Sequence, residues 1–269
     1  MHQTISSALI LLKARLYWWV RVRSLSLFLD MPISATSTLK TDFHPFQAPA
    51  LHAARLRDFS PSVNLQHLFD KYHKQIPSDA PLQDQLAYAF TLHYASVGLQ
   101  QSPEEAVHTF KTSLHTSGLF SATSIPGAVG VSYLTVAGRI THAMFATSVP
   151  STASKGKRLR WRQQRIDQAC TALGRPWIEP MLPVDGSKYA PMGNCQEELS
   201  LLGLLDAFKW ASQSHSWSKA ALYVYTESTG SAEPKKACWK CKQVLQNAAV
   251  LYGILVVDVG DECRTYPVI

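Results

Sequence analysis

Between positions 195 and 241 the chain reads as helix start, strand, helix start, with cysteines at both starts. Cys195-Gln196-Glu197 opens one amphipathic stretch and Cys238-Trp239-Lys240-Cys241 opens the other. The β-branched and aromatic run 221–227 lies between them. This is a one-plus-two spacing of metal ligands, with a carboxylate two residues after the first. It constrains the fold, because cysteines at two helix starts that hold one ion must converge on one point.

The chemistry of such a point follows from the residue types. Zinc is usually four-coordinate, and a catalytic site keeps one position for water. Cysteinates from Cys195, Cys238 and Cys241 leave that position open. Cys238 and Cys241, three apart at a helix start, lie on one helix face. Exposed amides and the macrodipole at a helix N-terminus stabilise thiolates. Glu197, in the first turn after Cys195, can reach a water at the ion without being a ligand, as proton transfer requires. Two other readings compete. A structural zinc needs a fourth protein ligand, and His215, just past the far end of the first helix, is a distant choice. A redox Cys-x-x-Cys leaves Cys195 and Glu197 unexplained. The ten histidines are scattered, and Cys170 and Cys263 have no ligand spacing.

Composition narrows the class. Five cysteines in 269 residues do not make a disulfide framework, and they fit a reducing compartment. The expected location is intracellular, cytoplasmic or nuclear. No uncharged apolar run approaches the ~18 residues of a membrane span, which argues against integral membrane association. The formal charge of +7 is unevenly placed. Residues 1–30 carry Lys13, Arg15, Arg21 and Arg23 with no acid before Asp30. They read as a basic extension, or as a mitochondrial targeting segment if genuine, with Met31 an alternative start. Residues 31–63, rich in Pro, Ser and Thr, read as a loose connector.

A helical region is expected over 64–125. Asn64 caps a helix at 65–75, a second runs over 82–97, and Ser102-Pro103-Glu104-Glu105 starts a third that ends before Gly118. The period then changes. Runs 127–137 and 139–148 around Gly138 predict a hairpin. A short linker at 151–156 leads to a helix from 157 to about 173. The order after Gly193-Asn194 is helix (195–213), strand (220–227), helix (238–248) and strand (253–259). This pattern predicts an α/β fold, a three-layer sandwich whose mixed sheet is covered on both faces by helices, with an N-terminal helical extension. The last two strands can lie parallel through a right-handed crossover.

Cys195-x-Glu197 followed by Cys238-x-x-Cys241 resembles the signature of the zinc-dependent cytidine deaminase-like superfamily, His- or Cys-x-Glu then Pro-Cys-x-x-Cys. Gly193-x-Cys195-x-Glu197 is also similar to the way toxin-type and related deaminases write the first half. The resemblance implies a deaminase-like zinc domain over 126–269, of cytidine deaminase type, with one zinc ion per chain. It implies a hydrolase that removes an exocyclic amine from a cytosine or adenine base, in a nucleoside, a nucleotide or single-stranded nucleic acid. Glu197 would be the general acid/base. It also implies that the loop after the 220–227 strand borders the substrate, making Asn194, Ser228, Thr229 and Glu233 candidate contacts, although Asn194 equally suits a helix cap. Two departures stand out. Ala237 replaces the usual proline, which should loosen the helix start. Cysteine instead of histidine at 195 makes the ligand set more negative, a charge that Lys235, Lys236, Lys240 or Lys242 could offset.

A separate cluster packs six cations, from Lys155 to Arg165, around Trp161. Lys157, Arg158, Arg160, Trp161 and Arg162 could track a nucleic-acid backbone. The same letters suit a solvated helix face with Trp161 and Ile166 turned inward. The alternative function is therefore a catalytically inactive module of this fold that binds zinc and nucleic acid.

Overall fold

Asn64 begins the described architecture: its side chain accepts the His67 amide at 2.9 Å, capping helix α1 (Leu65–Tyr72). A 3-10 turn, His73–Gln75, finishes it. The computed structural model describes residues 62–76, 78, 80–97, 101–121, 124–173, 191–201, 204, 220–231 and 233–266. The expectations for 1–30, for nearly all of the connector 31–63, for His215 and for the far half of helix 195–213 lie outside the described residues. Helix α2 is Leu82–Val97 and α3 is Pro103–Thr116. The α3 start is a full capping box, in which Ser102 and Glu105 exchange backbone and side-chain bonds.

Strands β1 (Ala128–Val136) and β2 (Arg139–Thr147) form the hairpin. Ala137 and Gly138, with φ of 50° and 76°, make the two-residue left-handed turn that matches strand twist. Helix α4 (Lys155–Leu173) follows. It starts inside the stretch expected to be linker, because Ser154 caps it: the Ser154 carbonyl accepts the Arg158 amide at 2.9 Å and its hydroxyl the Lys157 amide at 3.4 Å. Residues 196–201 and 204 are the described part of helix α5. Strand β3 (Ala220–Ser228), helix α6 (Trp239–Tyr252), β4 (Leu255–Asp258) and β5 (Arg264–Tyr266) complete the chain. Gly253, left-handed at φ 60°, stops α6.

The five strands form one mixed sheet in the order β2-β1-β3-β4-β5. β1 is antiparallel to both β2 and β3, β4 is parallel to β3, and β5 is antiparallel to β4. The parallel pair joined through α6 is the expected arrangement, whereas β5 was not anticipated. Alternation along the strands divides the residues between two faces. Leu134, Leu222, Val224 and Val256 pack with Leu201 and Leu204 and with Val244, Leu245 and Ala248 of α6. On the other face, Phe145 meets Phe90 of α2 and Phe110 of α3, and the Tyr133 hydroxyl donates to Glu104 at 2.5 Å. Helices therefore cover both faces of the mixed sheet, and the helices of region 64–125 supply one layer. Among the described residues no helix is long and apolar enough to cross a membrane.

Candidate metal centre

In a mixed sheet, the carboxyl ends of neighbouring parallel strands are where loops converge on ligands. Here β4 ends opposite Val224, and β3 runs on to Ser228. The Lys235 amide donates back to the Thr226 carbonyl at 2.8 Å, and Pro234 bridges to Glu227. The Asp258 carboxylate, at the end of β4, accepts the Ala237 amide at 3.2 Å and the Gly260 amide at 3.1 Å. This bears directly on the missing proline. A proline at 237 has no N–H, so it could not make the bond to Asp258. The start of α6 is held by that hydrogen bond where a ring would otherwise restrict it.

Cys238 is the N-cap of α6, and its sulfur accepts the Cys241 amide at 3.5 Å. Cys195 stands immediately before the helical residues 196–201, and its amide donates to Glu198 Oε2 at 3.0 Å. The cap is thus made by Cys195 and Glu198. Asn194 contributes its carbonyl, which accepts the Val149 amide at 3.0 Å. Gln196 turns away from the sulfurs into the sheet. Its Nε2 donates to Thr226 Oγ1, and Ser200, itself paired to Ser132 at 2.7 Å, donates to its Oε1. α5 is thereby anchored to β1 and β3.

The loop before Cys195 is anchored separately. Gly193 has φ of 71°, and a Cβ there would meet the Arg162 carbonyl oxygen at 2.5 Å, so glycine is required twice over. Arg165 is only 3% exposed. It pairs with Asp84 of α2 at 2.5 Å and donates to the carbonyls of Thr147 at 3.0 Å and Gly193 at 3.1 Å. Its place in the basic cluster gave no hint of this. A buried guanidinium joining four segments is visible only in three dimensions.

The three sulfurs of Cys195, Cys238 and Cys241 lie within 4.8 Å of one another. Zinc–sulfur bonds of ~2.3 Å at tetrahedral angles place sulfurs ~3.8 Å apart. Cys195 and Cys238 are separated by 4.0 Å. Hydrogen bonding among the sulfurs concentrates negative charge on Cys238, whose thiol is held well below the usual range, and pushes Cys195 and Cys241 up. Three thiolates this close repel one another unless a cation lies among them, so the donor set fits a soft divalent ion. Glu197 is buried, at 5% exposure. Burial pushes its carboxyl up to about 7, the Cys238 charge adds to the effect, and Lys235 opposes it. Among the described residues no fourth histidine, cysteine or carboxylate joins the sulfur group.

The other candidates are placed as follows. The Thr229 hydroxyl donates to the Pro126 carbonyl at 2.6 Å and the Ser228 hydroxyl accepts the Gly230 amide at 3.4 Å, so both brace the loop after β3. Glu233 is exposed. Lys157 and Arg160 are exposed on α4, while Arg158, Trp161 and Arg162 are half-buried. Arg158 donates to the Ser151 carbonyl at 2.6 Å and Arg162 to the Arg158 carbonyl at 3.2 Å. Of the four lysines near the second cysteine pair, Lys236 and Lys242 bind Asp261 at 3.0 and 2.7 Å, and Lys235 is exposed. Lys240 alone is fully buried.

No family matches. Neither a protein-family model, a curated protein nor a solved structure is similar to the chain.

Proposed function

We propose that this chain is a zinc-dependent hydrolytic deaminase of cytidine deaminase type, acting on a cytosine or adenine base in a nucleoside, a nucleotide or single-stranded nucleic acid. One observation carries the reading: three sulfurs within 4.8 Å of one another, drawn from two helix starts, beside a buried glutamate that is not among them. Cys195, Cys238 and Cys241 would hold the ion. Zinc bound there supplies Lewis acidity, which makes water nucleophilic near neutral pH. Glu197 takes one proton from the attacking water as oxygen adds to the amine-bearing ring carbon. It returns that proton to the departing nitrogen, so the carbon–nitrogen bond breaks and ammonia leaves. Burial keeps the carboxylate from being screened by bulk water during both transfers.

Two exchanges test the chemistry. Glu197→Gln and Glu197→Ala should abolish ammonia release, with a loss of at least ~100-fold expected for removing a general acid/base. Zinc content should stay near that of the unaltered protein. Ammonia release at the original rate would remove Glu197 from the mechanism. Free nucleosides, nucleotides and single-stranded oligonucleotides, offered in parallel, identify the substrate class.

A binding module without turnover is the second reading. It is favoured by the cations of α4, none of which, apart from buried Arg165, is ion-paired among the described residues. Zinc binding with no ammonia from any substrate, together with oligonucleotide binding that weakens steeply with salt, would select it.

A further inference from the structure

Lys240 and Glu198 connect the two ligand-bearing helices. The Lys240 ammonium lies 2.9 Å from Glu198 Oε2 and donates to the Pro191 carbonyl at 2.8 Å. Glu198 is buried as well, and the same Oε2 accepts the Cys195 amide at 3.0 Å. One carboxylate oxygen on α5 therefore receives both the backbone of the first ligand and a cation from α6. That cation also reaches the loop leading into Cys195.

A fully buried ion pair is a costly way to join two helices, since both charges must be stripped of water. Apolar side chains of the same shape would join them without that penalty. They could not place positive charge behind the cysteines. Lys240 adjoins Cys241 in α6, and its ammonium sits on the carboxylate oxygen that also accepts the Cys195 amide. Three cysteinates around one divalent ion leave a net negative unit in a buried setting, and a fixed cation stabilises it.

Resting on the reading of the three cysteines as zinc ligands, we infer that Lys240 and Glu198 are positioning residues that hold the two ligand helices together and set a cation against the sulfurs, raising the affinity of the site for a soft divalent ion. Glu198 aims the ammonium and the Cys195 amide. Lys240 supplies the charge. Their effect passes through the cysteines.

The test uses the full-length apoprotein with cobalt(II) as a spectroscopic probe and zinc competition against a chromophoric chelator. The unaltered protein should show a sulfur-to-cobalt charge-transfer band. Lys240→Met should weaken zinc binding about 10- to 100-fold, the usual cost of losing a group that orients metal ligands. It should also move the charge-transfer band to longer wavelength, because losing a nearby positive charge raises the sulfur lone pairs in energy. Lys240→Arg should recover most of both. The paired exchange Glu198→Gln with Lys240→Met removes both charges and leaves neither stranded. Folded by circular dichroism, it should reproduce the weakened affinity and the shifted band. Binding within about twofold of the unaltered protein with an unmoved band would overturn the inference. So would failure of Lys240→Arg to recover either quantity. A paired variant that stays unfolded even with zinc would overturn it too, making the pair a folding element. Absence of the charge-transfer band in the unaltered protein instead removes the ligand assignment itself, before any Lys240 variant is read.

Discussion

A methyl group on Gly130 would sit 2.5 Å from Gln196 Cδ and 2.4 Å from the Tyr225 carbonyl oxygen. One neighbour is backbone in a paired strand, and the other is a fully buried side chain bonded at both ends. Gly130→Ala should therefore destabilise the protein by ~1–3 kcal/mol, the range for overpacking a core. It should also lower zinc affinity, because Gln196 can give way only by lifting α5 and Cys195 with it. Urea denaturation with zinc competition checks both, and an unchanged pair of values would show that α5 tolerates the shift. At this scale the ligands were legible because their spacing is local: one helical turn brings Cys238 and Cys241 onto one face. The residues between them were not, beyond Lys240 standing as one of four lysines that could offset the ligand charge. Gln196, Glu198 and Lys240 take their roles from Thr226, Cys195 and one another, and nothing in the adjoining letters names those partners. Asn194 illustrates the limit. It has the composition of a cap, yet the cap is Cys195 with Glu198.

The elements were readable where their ends carry their own chemistry. Asn64, the Ser102–Glu105 box and the left-handed Gly253 each satisfy or stop a helix with groups a few residues away. The start of α4 was misplaced by two residues, because a serine at 154 looks like linker until its hydroxyl faces the Lys157 amide. β5 escaped notice because it has three residues and follows a turn in which Glu262 and Cys263 are both left-handed. How elements hold one another is a different matter, decided by long-range pairs such as Arg165 with Asp84. Arg165→Met leaves Asp84 without its cation and should cost ~3–5 kcal/mol, the range for breaking a buried pair. Asp84→Asn together with Arg165→Met should cost less than the two single exchanges added. Denaturation of all four proteins completes the cycle, and strict additivity would mean that the contact contributes nothing.

For the whole molecule, the helix and strand order was sufficient to anticipate a mixed sheet with a parallel pair, because a strand–helix–strand unit has few ways to pack. The site lies at the end of that pair and draws its ligands from both sides of β3. A bound ion would therefore tie α5 to α6, and its removal should be felt throughout the fold. Occupancy at a hundredfold above the dissociation constant adds about 2.7 kcal/mol to a native state that alone binds the ligand. A strong chelator should accordingly lower the melting temperature, and added zinc should restore it. A melting curve indifferent to both would argue against a metal at these cysteines.

The antiparallel register that sets Ala128 opposite Ser228 has a consequence in time. The β1–β2 hairpin closes across two residues, but β1 cannot find β3 until a long intervening stretch has been gathered in, and such distant pairings form slowly. Cys195 and the 238–241 pair belong to helices on either side of that late strand. Contact order predicts that the three thiols become neighbours late, as β1 pairs with β3. The ion would then arrive at a finished cradle, acting less as a nucleus for folding than as a latch on its last step.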